Sequence, residues 1–325
     1  MGYSAKISVE VDESTVRLAD DASNVEAVIV PSFGNRTIRL LVEGENILHF
    51  PFETIPAAKA DRSTNGIPFL APWGNRMAGG GFRTNGREFH FNEKLGTLRM
   101  DANGLPIHGM LVSSPLWQIA AMGADAAGAH VTSRLEFWKR PELLANWPFA
   151  HSYEMTHKLA DGVLEVTTAI LNRSGERMPV SIGFHPYFRI PGVARDQLSV
   201  HLPVRRHVET DARLIPTGEF KPVNFPPQLP LKGQRFDDGF VGLEPNPVFR
   251  LEGGGKQIEV AFGPKYQVAI VYAPPDKDFV CFEPMTALTN GVNLAADGKY
   301  ANLQEIEPGG EWRESFRITS RRSQS

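Results

Sequence analysis

Hydrophobic and polar residues alternate with a period of two along most of the chain. The clearest example is residues 152–159, which are followed by Ala160-Asp161-Gly162 and then by a second alternating run at residues 163–171. Successive side chains of a strand point to opposite faces, so alternation indicates a strand with one buried face. Two such runs on either side of an Asp-Gly pair predict a β-hairpin with a tight turn.

Further short segments have the same pattern and end at Gly, Pro, Asn or Asp. They are residues 26–31, 37–42, 130–138, 179–184, 198–202, 257–262, 267–272, 279–282 and 312–318. Helical patterns are scarce, and the clearest is residues 141–146, where Pro141 suits the first position of a helix. Closely spaced strands with almost no helical pattern between them predict an all-β fold, a large antiparallel β-sandwich, rather than alternating βαβ units.

Composition agrees with a globular β protein and bears on the number of domains. Gly and Pro make up 55 of 325 residues, a density that interrupts the chain too often for long helices. Hydrophobic residues are 42% and charged residues 22%, which is ordinary for a chain with a sizeable core. Residues 221–233 contain four prolines, but strand patterns continue on both sides. We therefore expect a long surface connection inside one domain, residues 1–325.

Charge and cysteine content restrict the partners and the compartment. The net charge is −3, and basic residues are not concentrated beyond short pairs such as Arg321-Arg322, so nucleic acid is not an expected partner. The single cysteine, Cys281, cannot form an intramolecular disulfide. The first residues lack the apolar core of a signal peptide, and no apolar run approaches the ~18 residues of a membrane span. We expect a cytoplasmic protein that does not bind membranes.

Several common catalytic motifs are absent or incomplete. Gly253-Gly254-Gly255-Lys256 is followed by Gln257, where a phosphate-binding loop needs Ser or Thr. Gly79-Gly80-Gly81 lacks the spacing of a dinucleotide fingerprint, and neither Gly-x-Ser-x-Gly nor His-Glu-x-x-His occurs. The sequence therefore does not support phosphate-loop, nicotinamide, serine-hydrolase or zincin chemistry.

Glu283 is the most informative polar residue near a predicted strand end. In a strand over residues 279–283, Phe279, Cys281 and Glu283 share one face. A carboxyl group in such an apolar setting is desolvated, which raises its pKa towards the range of a general base at neutral pH. The alternative is a glutamate on the solvent side, or one paired with an arginine.

Two histidines are further candidates. His185 ends an apolar strand and precedes Pro186, and His108 lies between Ile107 and Gly109. An imidazole can donate a proton near pH 7, but a single histidine is more often a packed or surface residue. His185, His108 and Glu283 also have the composition of a metal-binding facial triad, although their spacing is not specific for one.

Five segments, taken in chain order, resemble the aldose 1-epimerase (galactose mutarotase) family. They contain Asn75-Arg76, Asn103-Gly104 with His108-Gly109, His185-Pro186-Tyr187-Phe188, Asp237, and Glu283-Pro284-Met285-Thr286. The resemblance extends from about Pro68 to Phe316. It implies the family's large antiparallel sandwich, often called a supersandwich, and the interconversion of the α and β anomers of an aldose through the open-chain aldehyde.

The resemblance also implies residue roles. Glu283 is the expected base, His185 the acid and His108 a second imidazole at the ring oxygen. Asn75, Arg76 and Asp237 are expected to bind sugar hydroxyls. The aromatic rings of Trp73 and Phe282 are candidates for an apolar face under the sugar, although aromatic side chains more commonly pack in the core. The reaction needs no cofactor or metal, the expected partner is a small sugar, and the protein is expected to be a monomer or a homodimer.

One departure leaves the substrate open. After His108-Gly109 many relatives carry a phenylalanine and a basic residue, whereas this chain reads Met110-Leu111-Val112-Ser113. The alternatives are a hexose-6-phosphate 1-epimerase and a sugar-binding protein without catalysis. A glycoside hydrolase is a third alternative, with Asp237 and Glu283 as its two carboxyl groups.

Overall fold

The computed structural model describes residues 2–61 and 63–322. In chain order its strands are β1 (Tyr3–Glu10), β2 (Glu13–Asp20), β3 (Val25–Val30), β4 (Arg36–Val42), β5 (Glu45–Asn46), β6 (Phe69–Leu70), β7 (Gly81–Thr84), β8 (Arg87–His90), β9 (Gln118–Asp125), β10 (Gly128–Leu135), β11 (His151–Ala160), β12 (Val163–Asn172), β13 (Met178–Val180), β14 (Gly183–Phe184), β15 (Tyr187–Phe188), β16 (Ser199–His201), β17 (Arg206–Thr210), β18 (Pro216–Pro222), β19 (Leu229–Pro230), β20 (Phe236–Val241), β21 (Val248–Gly253), β22 (Lys256–Phe262), β23 (Val268–Ala273), β24 (Val280–Met285), β25 (Gln304–Ile306) and β26 (Glu311–Arg322).

Helical segments are short. They are α1 (Ile55–Asp61), α2 (Pro141–Leu144), α3 (Gly291–Ala296) and 3₁₀ turns at Glu93–Leu95, Phe137–Lys139 and Arg195–Gln197. The all-β prediction is therefore confirmed. None of the helices in the described part of the chain is long and apolar enough to cross a membrane.

Two large antiparallel sheets dominate the described residues. One has nine strands in the order β19-β16-β21-β22-β26-β12-β11-β10-β9, and the other has eight in the order β18-β17-β20-β23-β24-β14-β6, with β15 pairing on β24. Rings from the two sheets meet between them: Phe249 of β21 lies 5.5 Å from Phe282 of β24, and Phe184 lies 4.8 Å from Phe316. This layer of buried aromatic rings joins the two sheets. A third sheet, β1 to β5, contacts β9 and β10.

The predicted hairpin is present in the expected register. Strands β11 and β12 pair from His151 opposite Asn172 to Ala160 opposite Val163. Asp161 and Gly162 have φ values of +51° and +72°. Positive φ at both central residues is what a two-residue hairpin turn requires, and Asp-Gly tolerates it well.

Several predicted boundaries were wrong. The strand predicted over residues 130–138 ends at Leu135, because Phe137–Lys139 forms a 3₁₀ turn. The single strand predicted over residues 179–184 is two strands in different sheets: β13 pairs with β25, while β14 pairs with β24 and β6. The predicted helix at residues 141–146 is α2, and its bounds are Pro141–Leu144.

The proline-rich segment at residues 221–233 connects the two large sheets. It leaves β18 of the eight-stranded sheet and enters β19 of the nine-stranded sheet. Most of its side chains are exposed or half-buried, and Leu231 is fully buried against the core. The segment is therefore a surface connection from one layer to the other. The single domain over residues 1–325 stays a prediction.

Candidate active site

Strand pairing brings Glu283 opposite His185. Strand β24 pairs with β14 through Met285 and Gly183, and with β15 through Cys281 and Tyr187. Halfway between these two pairs, the same register sets His185 across from Glu283. The His185 Nε2 atom is 3.2 Å from the Glu283 Oε1 atom, and both side chains are buried. Glu283 therefore points into the protein and has an imidazole as its nearest partner, not solvent or an arginine.

Burial acts on the two groups in opposite directions. It raises the pKa of Glu283 well above its usual value, and the charge of Asp237 adds to this effect while Arg76 opposes it. Burial lowers the pKa of His185 to about 3. A carboxylic acid beside a neutral imidazole holds as many protons as a carboxylate beside an imidazolium. The shifts favour the form in which Glu283 is protonated and His185 is neutral, and transfer of that proton to His185 gives the carboxylate and the imidazolium without a change in net charge.

His108 forms a second face of the same site. Its ring centre is 5.5 Å from that of His185, and the two rings are nearly perpendicular at 83°. The backbone N–H of His108 donates to the carbonyl of Asn75 at 2.8 Å. Burial lowers the pKa of His108 well below its usual value, and the charges of His185, Arg99 and Arg76 lower it further. The imidazole of His108 is therefore neutral at pH 7. It donates a hydrogen bond from one ring nitrogen and accepts one at the other.

A glycine determines how closely the His108 loop approaches its neighbour. Gly109 has a φ of +65°, and a Cβ atom at this position would lie 2.1 Å from the carbonyl oxygen of Ala71. A side chain would therefore collide with backbone in addition to straining the dihedral angle. The His-Gly pair in the sequence thus has a packing reason as well as a chemical one.

Arg76 is held in place by Asp101. The Arg76 Nε atom donates to Asp101 Oδ2 at 2.7 Å, and its Nη1 atom donates to Asn75 Oδ1 at 3.0 Å. Asp101 also accepts hydrogen bonds from the backbone N–H groups of Asn103 and Leu105. Burial raises the pKa of Asp101, but these hydrogen bonds outweigh it, so the pKa lies below its usual value. Sequence reasoning missed Asp101, although an Asp two residues before Asn-Gly is typical of a turn.

Asp237 lies at the solvent-exposed mouth of the site. Its strand, β20, pairs with β23, where Tyr272 is opposite Asp237, and Tyr272 is in turn opposite Cys281 of β24. Partial desolvation raises the pKa of Asp237, while the charge of Arg76 lowers it. The six predicted site residues thus belong to one region, because Asp237 and Arg76 both act electrostatically on Glu283.

The two candidate aromatic rings pack in the core, which is the commoner place for aromatic side chains. Trp73 and Phe282 are fully buried and belong to the main core. Trp73 stacks on Phe91 at 4.9 Å, and Phe282 packs on Phe249 at 5.5 Å. Neither ring can face a sugar. The strand geometry explains the orientation of Phe282, because neighbouring side chains of a strand point to opposite faces and Phe282 precedes Glu283.

Arg99 is a cationic residue that sequence reasoning did not assign to the site. Its charge lowers the pKa of His108 and of His185. The carbonyl of Arg99 accepts a hydrogen bond from the N–H of Ile107 at 2.8 Å, which aligns its segment with the His108 loop. No motif in the sequence indicated this proximity.

Across residues 2–61 and 63–322, no group of three or more His, Cys, Asp or Glu side chains is arranged to hold a metal ion. His185 and Glu283 instead contact each other directly, with the Nε2 and Oε1 atoms 3.2 Å apart.

Comparison with known proteins agrees with this fold. The family model described as aldose 1-epimerase matches residues 15–319. The chain therefore belongs to the aldose 1-epimerase family. The uncharacterized protein YphB of Escherichia coli K12 is 26% identical over 246 residues, which cover 71% of this chain and 77% of that protein.

Solved structures share the architecture at low sequence identity. A galactose mutarotase-like protein from Clostridium acetobutylicum has a TM-score of 0.88 at 20% identity, covering 99% of both chains. A putative aldose 1-epimerase from Escherichia coli K12 has a TM-score of 0.71 at 18% identity, covering 99% of this chain and 100% of the other. These likenesses establish the galactose mutarotase-like fold.

Proposed function

We propose that the protein is an aldose 1-epimerase that interconverts the anomers of a free aldose. The observation that carries this proposal is the buried Glu283–His185 pair at 3.2 Å. Opening a sugar ring needs a base at the anomeric hydroxyl and an acid at the ring oxygen, and closing it on the other face needs the same two groups in exchanged roles. A carboxyl group and an imidazole in direct contact, each able to take up and release a proton, supply these two groups.

The step proceeds as follows in terms of bonds. The carboxylate of Glu283 removes the proton of the anomeric hydroxyl, and the released electron pair forms the aldehyde C=O bond. The bond from C1 to the ring oxygen breaks, and the ring oxygen takes the proton from the imidazolium of His185. Rotation about the C1–C2 bond and reversal of these transfers give the other anomer. Each well-placed proton transfer accelerates the reaction roughly 10²–10⁴-fold.

The other residues bind and orient the sugar. Arg76, oriented by Asp101, offers a donor to a hydroxyl group, while Asn75 and Asp237 provide an amide and a carboxyl group. The neutral imidazole of His108 donates a hydrogen bond to the ring oxygen and so polarises it. No step in this scheme requires a cofactor or a metal, so turnover should not change when a chelator is added.

The proximity of Arg99 favours a second candidate, a hexose-6-phosphate 1-epimerase. A phosphate group carries close to two negative charges and is usually bound by two or more Arg or Lys side chains. We favour the neutral sugar because Asp101 and Asp237 offset the charge of Arg76, and because the residues after His108-Gly109 are Met110-Leu111-Val112, without a basic side chain.

Polarimetry tests the proposal directly. Freshly dissolved α-galactose and α-glucose should approach anomeric equilibrium faster with the protein than without it, with or without a chelator. Their 6-phosphates at equal concentration should be slower substrates, and a clear preference for the phosphates would establish the second candidate. A glycoside that releases reducing ends would indicate a hydrolase. Binding of sugars without acceleration of mutarotation would indicate a sugar-binding protein.

A further inference from the structure

An apolar patch lies in strand β1 and the turn that follows it. Val9 is 69% exposed, Val11 61% and Ile7 57%, and no other large hydrophobic side chain in the described part of the chain is more than 41% exposed. Ile7 and Val9 are two positions apart, so they share one face of the strand, and Val11 lies in the turn. The fold of one chain therefore leaves these side chains uncovered.

Strand β1 is also an edge strand. Among the described residues it pairs with β2 and with no other strand. Hydrogen-bonded and non-hydrogen-bonded positions alternate along an antiparallel pair. The N–H of Asp21 donates to the carbonyl of Gly2 at 3.2 Å, which continues the register of β1 with β2, so the even-numbered positions of β1 bond to β2. The N–H and C=O groups of Ile7 and Val9 therefore point to the open edge, where a further strand can pair.

We propose that β1 pairs in antiparallel fashion with β1 of a second copy of this chain, across a twofold axis at Ser8. This register sets Ile7 opposite Val9 of the second copy, and Val9 opposite Ile7 of that copy. Each of these two pairs exchanges both of its backbone hydrogen bonds. The twofold axis is perpendicular to the joined sheet, so the four side chains lie on the same face and cover one another.

The charged residues of β1 favour a second copy as the partner and this register of pairing. The axis at Ser8 sets Lys6 opposite Glu10 of the second copy, an attractive pair, whereas in its own chain Lys6 is opposite Arg17, a like charge. Glu10 is held in place by Arg17 at 2.6 Å and by Arg39 at 2.8 Å. An axis at Ile7 would set Lys6 opposite Ser8 instead, and an axis at Val9 would set Lys6 beyond the end of the opposite strand.

Sedimentation velocity at protein concentrations from about 1 to about 300 µM tests the association. Few residues of each chain pair, so we expect a reversible equilibrium between monomer and dimer within this range. Ile7→Asp should raise the dissociation constant at least about tenfold, because it removes apolar burial from both copies and puts a charge on the covered face. Ile7 is exposed in the single chain, so the variant should fold, which far-ultraviolet dichroism checks.

Leu95→Asp is the matched control for the loss of an exposed apolar side chain. Leu95 is 39% exposed and lies in the 3₁₀ turn at Glu93–Leu95 instead of in β1. Its dissociation constant should equal that of the unmodified protein.

Lys6→Glu tests the register without changing the apolar patch. It sets like charges opposite each other at both Lys6–Glu10 positions, so the dissociation constant should rise about fivefold at low salt and less at high salt. Lys6 is exposed, so its replacement should not disturb the fold of the single chain.

Amide hydrogen exchange followed by NMR distinguishes strand pairing from another mode of association. As the concentration rises through the dissociation constant, exchange at the N–H groups of Ile7 and Val9 should slow. The N–H groups of Ser8 and Glu10 already bond to β2, so their exchange should change less.

The outcomes decide the proposal. A monomer at every concentration would overturn it, and so would a dimer that Ile7→Asp leaves intact or that does not protect the Ile7 and Val9 amides. Unchanged association in Lys6→Glu would overturn the register at Ser8. No sugar enters these measurements, so their result is independent of the proposed function, and either proposal can fail without the other.

Discussion

His151 and His185 are both buried histidines with low pKa values, but they have different partners. His151 lies in β11 of the nine-stranded sheet, and burial lowers its pKa to about 4. Its Nδ1 atom is 2.6 Å from the carbonyl oxygen of Phe149, and its ring stacks on Phe137 at 4.1 Å. His185, in the eight-stranded sheet, faces the carboxyl group of Glu283.

The difference lies in what the partner can do with a proton. A backbone carbonyl accepts a hydrogen bond but cannot take up or release a proton near neutral pH, so His151 contributes only to packing. A carboxyl group can do both, and burial raises the pKa of Glu283 while it lowers the pKa of His185. Burial and a lowered pKa are thus common to both histidines, and what distinguishes His185 is a titratable side chain in direct contact with its imidazole.

The largest loss of turnover is expected when the carboxyl group of Glu283 is replaced. Glu283→Gln keeps the shape of the side chain but cannot take a proton, so kcat should fall by roughly 10³-fold, and sugar binding should persist. Polarimetry measures the turnover, and calorimetric titration with the sugar measures the binding. Substantial remaining turnover would assign the base to another residue.

The two histidines should respond in opposite ways to the same substitution. His185→Asn should lower kcat by roughly 10²-fold, because the acid at the ring oxygen is lost. His151→Asn should keep the turnover per folded molecule but lower the free energy of unfolding by about 1–3 kcal/mol, because it loses ring stacking and a buried hydrogen bond. Polarimetry and urea unfolding of both variants make the test. Equal loss of turnover in the two variants would contradict a special role of His185.

His157 allows the structural role of a buried histidine to be measured by pH. Burial lowers its folded-state pKa to about 3, while the unfolded value is ~6.5. Between these values only the unfolded state binds the proton, so this contribution to stability is complete above pH 6.5 and is lost as the pH falls towards 3. His157→Leu should therefore reduce the loss of unfolding free energy between pH 7 and pH 4.5 by about 2–3 kcal/mol.

Urea unfolding at the two pH values checks this expectation. His90 is the control, because its side chain is 77% exposed and makes no buried contact that protonation would disturb. An acid sensitivity in His157→Leu equal to that of the unmodified protein would show that the buried imidazole does not govern acid stability.

The smallest effect is expected at the rim of the proposed active site. Asp101→Asn removes the charge that orients Arg76, so KM should rise about fivefold with little change in kcat, which is about 1 kcal/mol of binding. Glu154→Gln is the matched control, because its partner Arg134 is half exposed and such pairs contribute little. Steady-state polarimetry over a range of sugar concentrations measures both. A fall in kcat without a change in KM would contradict a binding role for Arg76.

Sequence patterns predicted the strands best where neighbouring residues decide the structure. The β11–β12 hairpin follows from alternation around Asp161-Gly162, and its turn has the φ values that this pair favours. The face that Glu283 shares with Cys281 and Phe279 follows from alternation, whereas its burial does not, because the whole of β24 is buried on both faces. The predicted strand at residues 179–184 failed because its two halves join different sheets, and alternation carries no information about the partner of a strand.

The chain by itself determined the β-dominated fold, the family resemblance and the identity of the proposed acid and base. Only the tertiary structure decided that His185 lies opposite Glu283 and that Asp101 holds Arg76. It also decided that the ring of Tyr187 stacks on the imidazole of His185, with Thr64 at the Tyr187 hydroxyl group. The physical reason is the separation along the chain of the residues that interact. Turn residues and side-chain alternation act over a few neighbouring positions, whereas the register of β24 against β14 and β15 joins segments far apart in the chain and depends on how both sheets pack.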